Sequence, residues 1–125
     1  MHVRHYRDLM VWQKAMDFVV DVYSLAREIP STERFGLMQQ LQRAAVSIPS
    51  NIAEGHQRRS RKEYLRFLSI ARGSLAEAET QIMLLTRLDY TSPNRARNAL
   101  FRADEIGRML RSLEKRLVSP LDPSP

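Results

Sequence analysis

Arg43-Ala44-Ala45-Val46-Ser47-Ile48-Pro49-Ser50-Asn51-Ile52-Ala53-Glu54-Gly55 is the stretch whose reading decides the fold. Ala45, Ile48, Ile52 and Gly55 recur at spacings of 3, 4 and 3, the seam of a helix packed on other helices. Pro49 sits inside that seam. A proline there removes one backbone donor and kinks or stops a helix, at a cost of ~3 kcal/mol or more. The seam keeps its phase through the proline, which predicts one kinked helix; the alternative is two shorter helices broken at Ile48-Pro49. A second stripe, Ser47, Ser50/Asn51 and Glu54, is polar at the same spacing. It has two readings. In one, Asn51 and the serines serve the carbonyls that Pro49 leaves free, and Glu54 pairs with Arg58 or Arg43. In the other, the stripe lines a ligand or partner groove beside the kink.

Working outward, the neighbouring segments are helical too. Asp8 is the expected cap of a first helix, in which Leu9, Trp12, Met16, Val19, Tyr23 and Ala26 form the seam and Val11, Ala15, Val20 and Val22 widen it. That helix should end near Glu28, before Ile29-Pro30. Ser31 or Thr32 then caps the second helix, with Met38 and Leu41 ahead of Ala45 on its seam and Gly55 as a left-handed residue just past its end. Ser60-Arg61-Lys62-Glu63 fits a capping box. The third helix follows on Tyr64, Leu68, Ala71, Leu75, Ala78, Ile82 and Leu85 to about Leu88, roughly 42 Å long. Ser92-Pro93 opens a fourth, serine as cap and proline at the first helical position, with Ala96, Leu100, Ala103, Ile106, Leu110, Leu113 and Leu117 inward. Residues 119–125 are expected to form a disordered proline-rich tail after a single domain at 1–118.

Four long helices joined by short turns predict an all-α, antiparallel up-down-up-down four-helix bundle. No strand pattern competes. The apolar faces are wide: helix 1 carries Val11, Phe18, Val19, Val20 and Val22 on more than one side, and helix 3 adds Phe67 and Ile70. A self-association face is therefore expected.

The totals agree with one helical domain. The chain has 125 residues, 43% hydrophobic and 27% charged, with four glycines and no cysteine. Lack of cysteine excludes disulfides, thiolate metal sites and cysteine nucleophiles, and fits a reducing compartment. No apolar run approaches the ~18–20 residues of a membrane span, so a cytoplasmic protein without membrane contact is the expectation. Of 20 basic residues 17 are arginine, against 14 acidic, a net charge of +6. Arginine's planar fork serves both phosphate surfaces and protein interfaces.

Catalysis is not expected. Bundle di-metal sites use Glu-x-x-His pairs, and none of His2, His5 and His56 has a glutamate three residues before it. No metal or cofactor is expected. The glycines are isolated, so no phosphate loop exists. Ser47, Ser50 and Ser60 have local roles as back-bonding, proline-turn and capping serines. Glu77 and Glu79, two apart, point to different sides of a helix.

The basic residues are more suggestive. Arg58, Arg59, Arg61, Lys62 and Arg66 crowd the turn between helices 2 and 3. Antiparallel topology brings the chain start (Arg4, Arg7) and the end of helix 4 (Arg111, Lys115, Arg116) to the same end. Together they would make a basic pole, an electrostatic footprint for nucleic acid. Stacking aromatics are few there, Tyr6 and Tyr64. Trp12 is the expected apolar anchor in the core or a subunit contact.

Asp8-Leu9-Met10-Val11-Trp12-Gln13-Lys14-Ala15-Met16, the opening stretch Arg43–Gly55, Glu63-Tyr64-Leu65-Arg66-Phe67-Leu68 and Gly73-Ser74-Leu75-Ala76-Glu77-Ala78-Glu79-Thr80-Gln81 resemble the bacterial four-helix bundle family of 23S rRNA intervening-sequence proteins. The resemblance covers roughly residues 5 to 117. It implies a bundle that assembles into a ring-like homopentamer. Some members are encoded within insertions in the large ribosomal RNA gene. A distant relative, the accessory protein of diversity-generating retroelements, is a basic pentameric barrel that binds nucleic acid and a reverse transcriptase. The family has no established catalytic activity, so no catalytic site carries over. The chain departs from the family at His56-Gln57-Arg58, where members often carry an aromatic residue or glycine. The expected function is therefore non-catalytic nucleic-acid binding, to RNA or DNA, by an oligomer through its basic pole. The alternative is a ring-shaped scaffold or adaptor that recruits a protein partner through the polar stripe and the exposed apolar faces.

Overall fold

Residues 5–118 are described by the computed structural model; the expected tail, and His2 and Arg4, lie outside them. Four helices span Met10–Ala26 (α1), Leu37–His56 (α2), Arg61–Arg87 (α3) and Pro93–Leu117 (α4). Each of α1 and α3 packs on both α2 and α4, and no contacts run across the diagonals. Neighbours run antiparallel. On α1 and α4, Lys14 pairs with Glu105 at 3.5 Å, while Glu28, beyond the other end of α1, pairs with Arg95. The up-down-up-down bundle read from the sequence is thus the observed one.

Core residues follow the helical periods. On α3, Leu68, Ala71, Leu75, Ala78, Ile82 and Leu85 are buried, with Tyr64 half-buried at the start of the seam. On α4, Ala96, Ala103, Ile106, Leu110 and Leu113 are buried. Helix α1 corrects the sequence reading by one residue. Its buried face is Val11, Ala15, Phe18, Val22, Leu25 and Ala26, while Met16 and Tyr23 are 44% and 42% exposed. Two apolar stripes run side by side on this helix, and hydrophobicity alone does not separate them. On its flank Arg102 bonds Asp21 at 2.7 Å and Asp17 at 3.4 Å, marking the edge of α1 that meets α4.

Helix α2 is continuous through Pro49, as the unbroken seam predicted. Pro49 cannot donate to the Ala45 carbonyl four residues back. The polar neighbours act on the next two carbonyls instead: Ser50 Oγ donates to Val46 O at 2.8 Å and Asn51 Nδ2 to Ser47 O at 2.8 Å. Asn51 also donates to Ser47 Oγ at 2.9 Å, and that hydroxyl meets Ser74 Oγ of α3 at 2.8 Å.

Three expected helix ends are corrected. Asp8 does not cap α1; it closes a 3-10 turn at Tyr6–Asp8, and Leu9 takes the cap position with no side-chain bond. Gln13 Nε2 anchors this entry by donating to Arg7 O at 2.8 Å. Ser31 and Thr32 open a 3-10 turn, Ser31–Glu33, and α2 starts after Gly36, where Glu33 Oε1 accepts from Leu37 N at 3.4 Å. The serine caps of α3 and α4 hold: Ser60 Oγ accepts from Glu63 N at 3.0 Å and Ser92 Oγ from Arg95 N at 3.3 Å, each such cap worth ~1 kcal/mol. The third correction is Gly55. No described glycine has positive φ, and α2 continues past Gly55 to His56. The left-handed stop occurs at Asp89 (φ 60°) after α3, where Tyr90 N bonds Leu85 O at 2.9 Å and Asp89 N bonds Thr86 O at 3.1 Å, a Schellman closure with aspartate where glycine is usual.

Gly55 serves close approach instead. A Cβ there would lie 2.8 Å from Phe67 Cβ and 3.3 Å from Tyr64 O of α3. Neither neighbour is a flexible tip. Gly55→Ala is therefore expected to lower stability by ~1–3 kcal/mol, measured by chemical denaturation. Gly73→Ala, with nothing within 4 Å of the new methyl, is expected to raise it by up to ~1 kcal/mol through helix propensity. Equal effects at both positions would refute the close-approach role.

Candidate nucleic-acid interface

The turn between α2 and α3 is short, so the exit of one helix and the entry of the next put their side chains on one small surface. His56 packs edge-on against Tyr64, ring centroids 5.8 Å apart. Burial pushes the Tyr64 phenol above its ordinary range, against the opposing pull of the Arg116 charge. Arg72 in the first half of α3 pairs with Glu114 near the end of α4 at 3.3 Å, as antiparallel packing requires. On the other side of this end, Tyr6 meets half-buried Trp12 edge-on at 5.4 Å, and Trp12 packs against the core. Trp12 is thus a core-edge anchor.

The basic residues at this end divide into two sets. Arg58 donates to Glu54 at 3.0 Å, and Arg66 bonds both oxygens of Glu63 at 3.2 and 3.3 Å. Both guanidiniums also lie over the ring of buried Phe67, 4.9 and 4.5 Å from its centroid. The bond from Arg66 holds the Glu63 carboxyl below the ordinary carboxylate range, partly opposed by desolvation. Glu63 therefore completes only half of the predicted capping box: it turns to Arg66 rather than back to Ser60. Glu54 pairs with Arg58, one of the two partners the sequence offered.

Arg59 and Lys62 are the second set. Both are exposed, and neither has an ion pair among the described residues. Arg61, half-buried at the first position of α3, lies between them in the chain. Lys115 and Arg116, exposed in the last turn of α4, join this end. Arg111 does not. It lines a groove of about 440 Å³ between α3 and α4 with Gly73, Glu79, Asp104 and Gly107, and its charge acts on Glu79, about five turns along α3 from Arg61. Much of the remaining charge on α4 is paired along the body: Arg95 with Glu28, Arg102 with Asp17 and Asp21, and Arg108 with Asp104 at 3.2 Å.

The polar stripe splits. Ser47 and Asn51 face the α2–α3 contact, Ser50 bonds its own helix, and Glu54 belongs to the arginine cluster. No group of three metal-ligating side chains occurs among the described residues, and no helix there is long and apolar enough to cross a membrane. The stacking of Arg58 and Arg66 on Phe67 was missed in the sequence, although Phe67 directly follows Arg66.

This geometry can be set beside known proteins. Residues 7–112 match the pattern of the 23S rRNA-intervening sequence proteins. The chain belongs to that family. Among solved structures, a protein with unknown function from the S23 ribosomal protein family of Bacteroides thetaiotaomicron is similar over 85% of this chain and 99% of its own, at 28% identity and a TM-score of 0.79. No curated protein matches. The matched span includes the α2–α3 turn and ends before Lys115 and Arg116.

One carboxylate of the α3–α4 groove runs against the usual direction. Burial, and next the charge of Asp104, raise Glu79 above 4.5, with Arg111 opposing. A raised carboxyl favours the protonated form in the folded state, so its contribution is full at low pH and is lost as pH rises through the folded value. Glu79→Gln is therefore expected to be slightly more stable than wild type at pH 7, with the gap closing as pH falls through the raised Glu79 value and gone once pH is below the ordinary carboxylate range. Denaturation curves at both pH values check this; a gap that persists in acid would contradict it.

Proposed function

We propose that this family member is a non-catalytic, self-associating bundle that binds nucleic acid through the end formed by the α2–α3 turn and the last turn of α4. The observation that carries the reading is the set of exposed cations without ion pairs there, Arg59 and Lys62 with Lys115 and Arg116, while Arg95, Arg102 and Arg108 along the body of α4 are paired. Unpaired lysine and arginine side chains release counterions from a phosphate backbone, which makes binding steeply salt-dependent. Assembly would add to it, because each copy brings another basic end to the same ligand. The family resemblance makes a homopentamer the expected assembly, and the exposed apolar side chains Met16, Val20, Ile70 and Phe101 give it surface to bury.

Reversal of two charges tests the binding. Arg59→Glu with Lys62→Glu should cut affinity for a mixed-sequence RNA at least tenfold and shallow the slope of log K against log salt by about two, with helical content unchanged by circular dichroism. An unaltered slope would rule out this surface. Assembly is tested separately: light scattering at micromolar concentration should give five times the chain mass of 14.5 kDa, and a monomer would overturn it.

A further inference from the structure

Resting on that reading, we infer that Arg58 and Arg66 are a stacking platform for unpaired bases rather than phosphate contacts, so the preferred ligand is single-stranded nucleic acid. Both were expected from the sequence to hold phosphates. Their surroundings argue otherwise. Each guanidinium has a carboxylate against it, Glu54 or Glu63, at 3.0 to 3.3 Å. The charge is locally balanced, and an approaching phosphate would meet those carboxylates. What each arginine still offers is its planar outer side. The inner side lies over Phe67, which is only 7% exposed. The side chains themselves are 45% and 56% exposed.

A guanidinium so held is oriented by its carboxylate and by the ring beneath it. Arginine is weakly hydrated on its faces and stacks on aromatic planes. Bases splayed from a single strand stack on such planes, whereas bases in a duplex have their faces occupied. Arg59 follows Arg58 in the chain and Lys62 begins the turn that leads to Arg66, so cations for the phosphates stand beside the platform. The two sets divide the work: Arg59 and Lys62 meet the backbone, Arg58 and Arg66 meet the bases.

Two labelled strands of equal length separate these contributions, one with bases and one abasic along its centre, each titrated by fluorescence anisotropy at fixed salt. The wild-type protein should bind the base-bearing strand about tenfold more tightly than the abasic one. Arg58→Lys with Arg66→Lys keeps the charge and should erase that preference, leaving affinity for the abasic strand unchanged. In nuclear magnetic resonance spectra the Nε–Hε signals of Arg58 and Arg66 should shift on adding the base-bearing strand and stay in place with the abasic one. Equal wild-type affinity for the two strands, or a preference that survives in the lysine variant, would overturn the platform while leaving the basic end as a phosphate site. Binding of neither strand at low salt would overturn the basic end itself, and the platform with it.

Discussion

The α2–α3 contact is closest where one residue has no side chain. At Gly55 a methyl group would have to occupy space within 2.8 Å of Phe67 Cβ. Because the two backbones approach there, Phe67 is buried at the turn rather than in the main core, and the arginines before and after the turn can reach over its ring. Farther up the same contact, Ser47 and Ser74 meet through their hydroxyls at 2.8 Å. Small side chains at both points let the helices stay close along much of their length. Pro49 lies on α2 between them. Its lost hydrogen bond is tolerated because the helix is held by packing on both sides; Ser50 and Asn51 bond the next two carbonyls, not the Ala45 carbonyl that the proline leaves free. The proline, the polar stripe and the glycine are thus parts of one interface.

The opposite seam, between α1 and α4, is held differently. Lys14–Glu105, Arg102 with Asp17 and Asp21, and Arg95–Glu28 form a ladder of ion pairs along the two helices. Each exposed pair contributes at most ~1 kcal/mol, so the ladder is not the main source of stability. Its effect is on register and rotation. It also removes Arg95 and Arg102 from the pool of free positive charge.

What was legible in the sequence follows from this division. Helices α3 and α4 carry a long, regular apolar seam each and clear serine caps, so their limits and most of their buried faces could be read directly. Helix α1 carries two apolar stripes, and which is buried depends on how α2 and α4 pack on it; no local pattern holds that information. The start of α2 was misplaced because Ser31 and Thr32 suit a cap equally well in a 3-10 turn. Gly55 was misread because a glycine near a helix end has two uses, left-handed closure and close approach, and the second depends on a residue of the next helix. The arginine cluster was found as charge, but which members were neutralised depended on Glu54 and Glu63 choosing among neighbours. Arg111 was assigned to the basic end by topology alone, and its side chain turns instead into the α3–α4 groove.

Both uses of arginine at the α2–α3 turn trace to the same short connection. With the helices pressed together at Gly55, the exit of α2 and the entry of α3 share one aromatic ring, and only a planar cation can cover that ring while bonding a carboxylate at its edge. Lysine could supply the charge but not the cover. That both positions over Phe67 are arginine fits this difference. Where only a point charge is needed either residue serves; where a plane must be covered, the guanidinium is required.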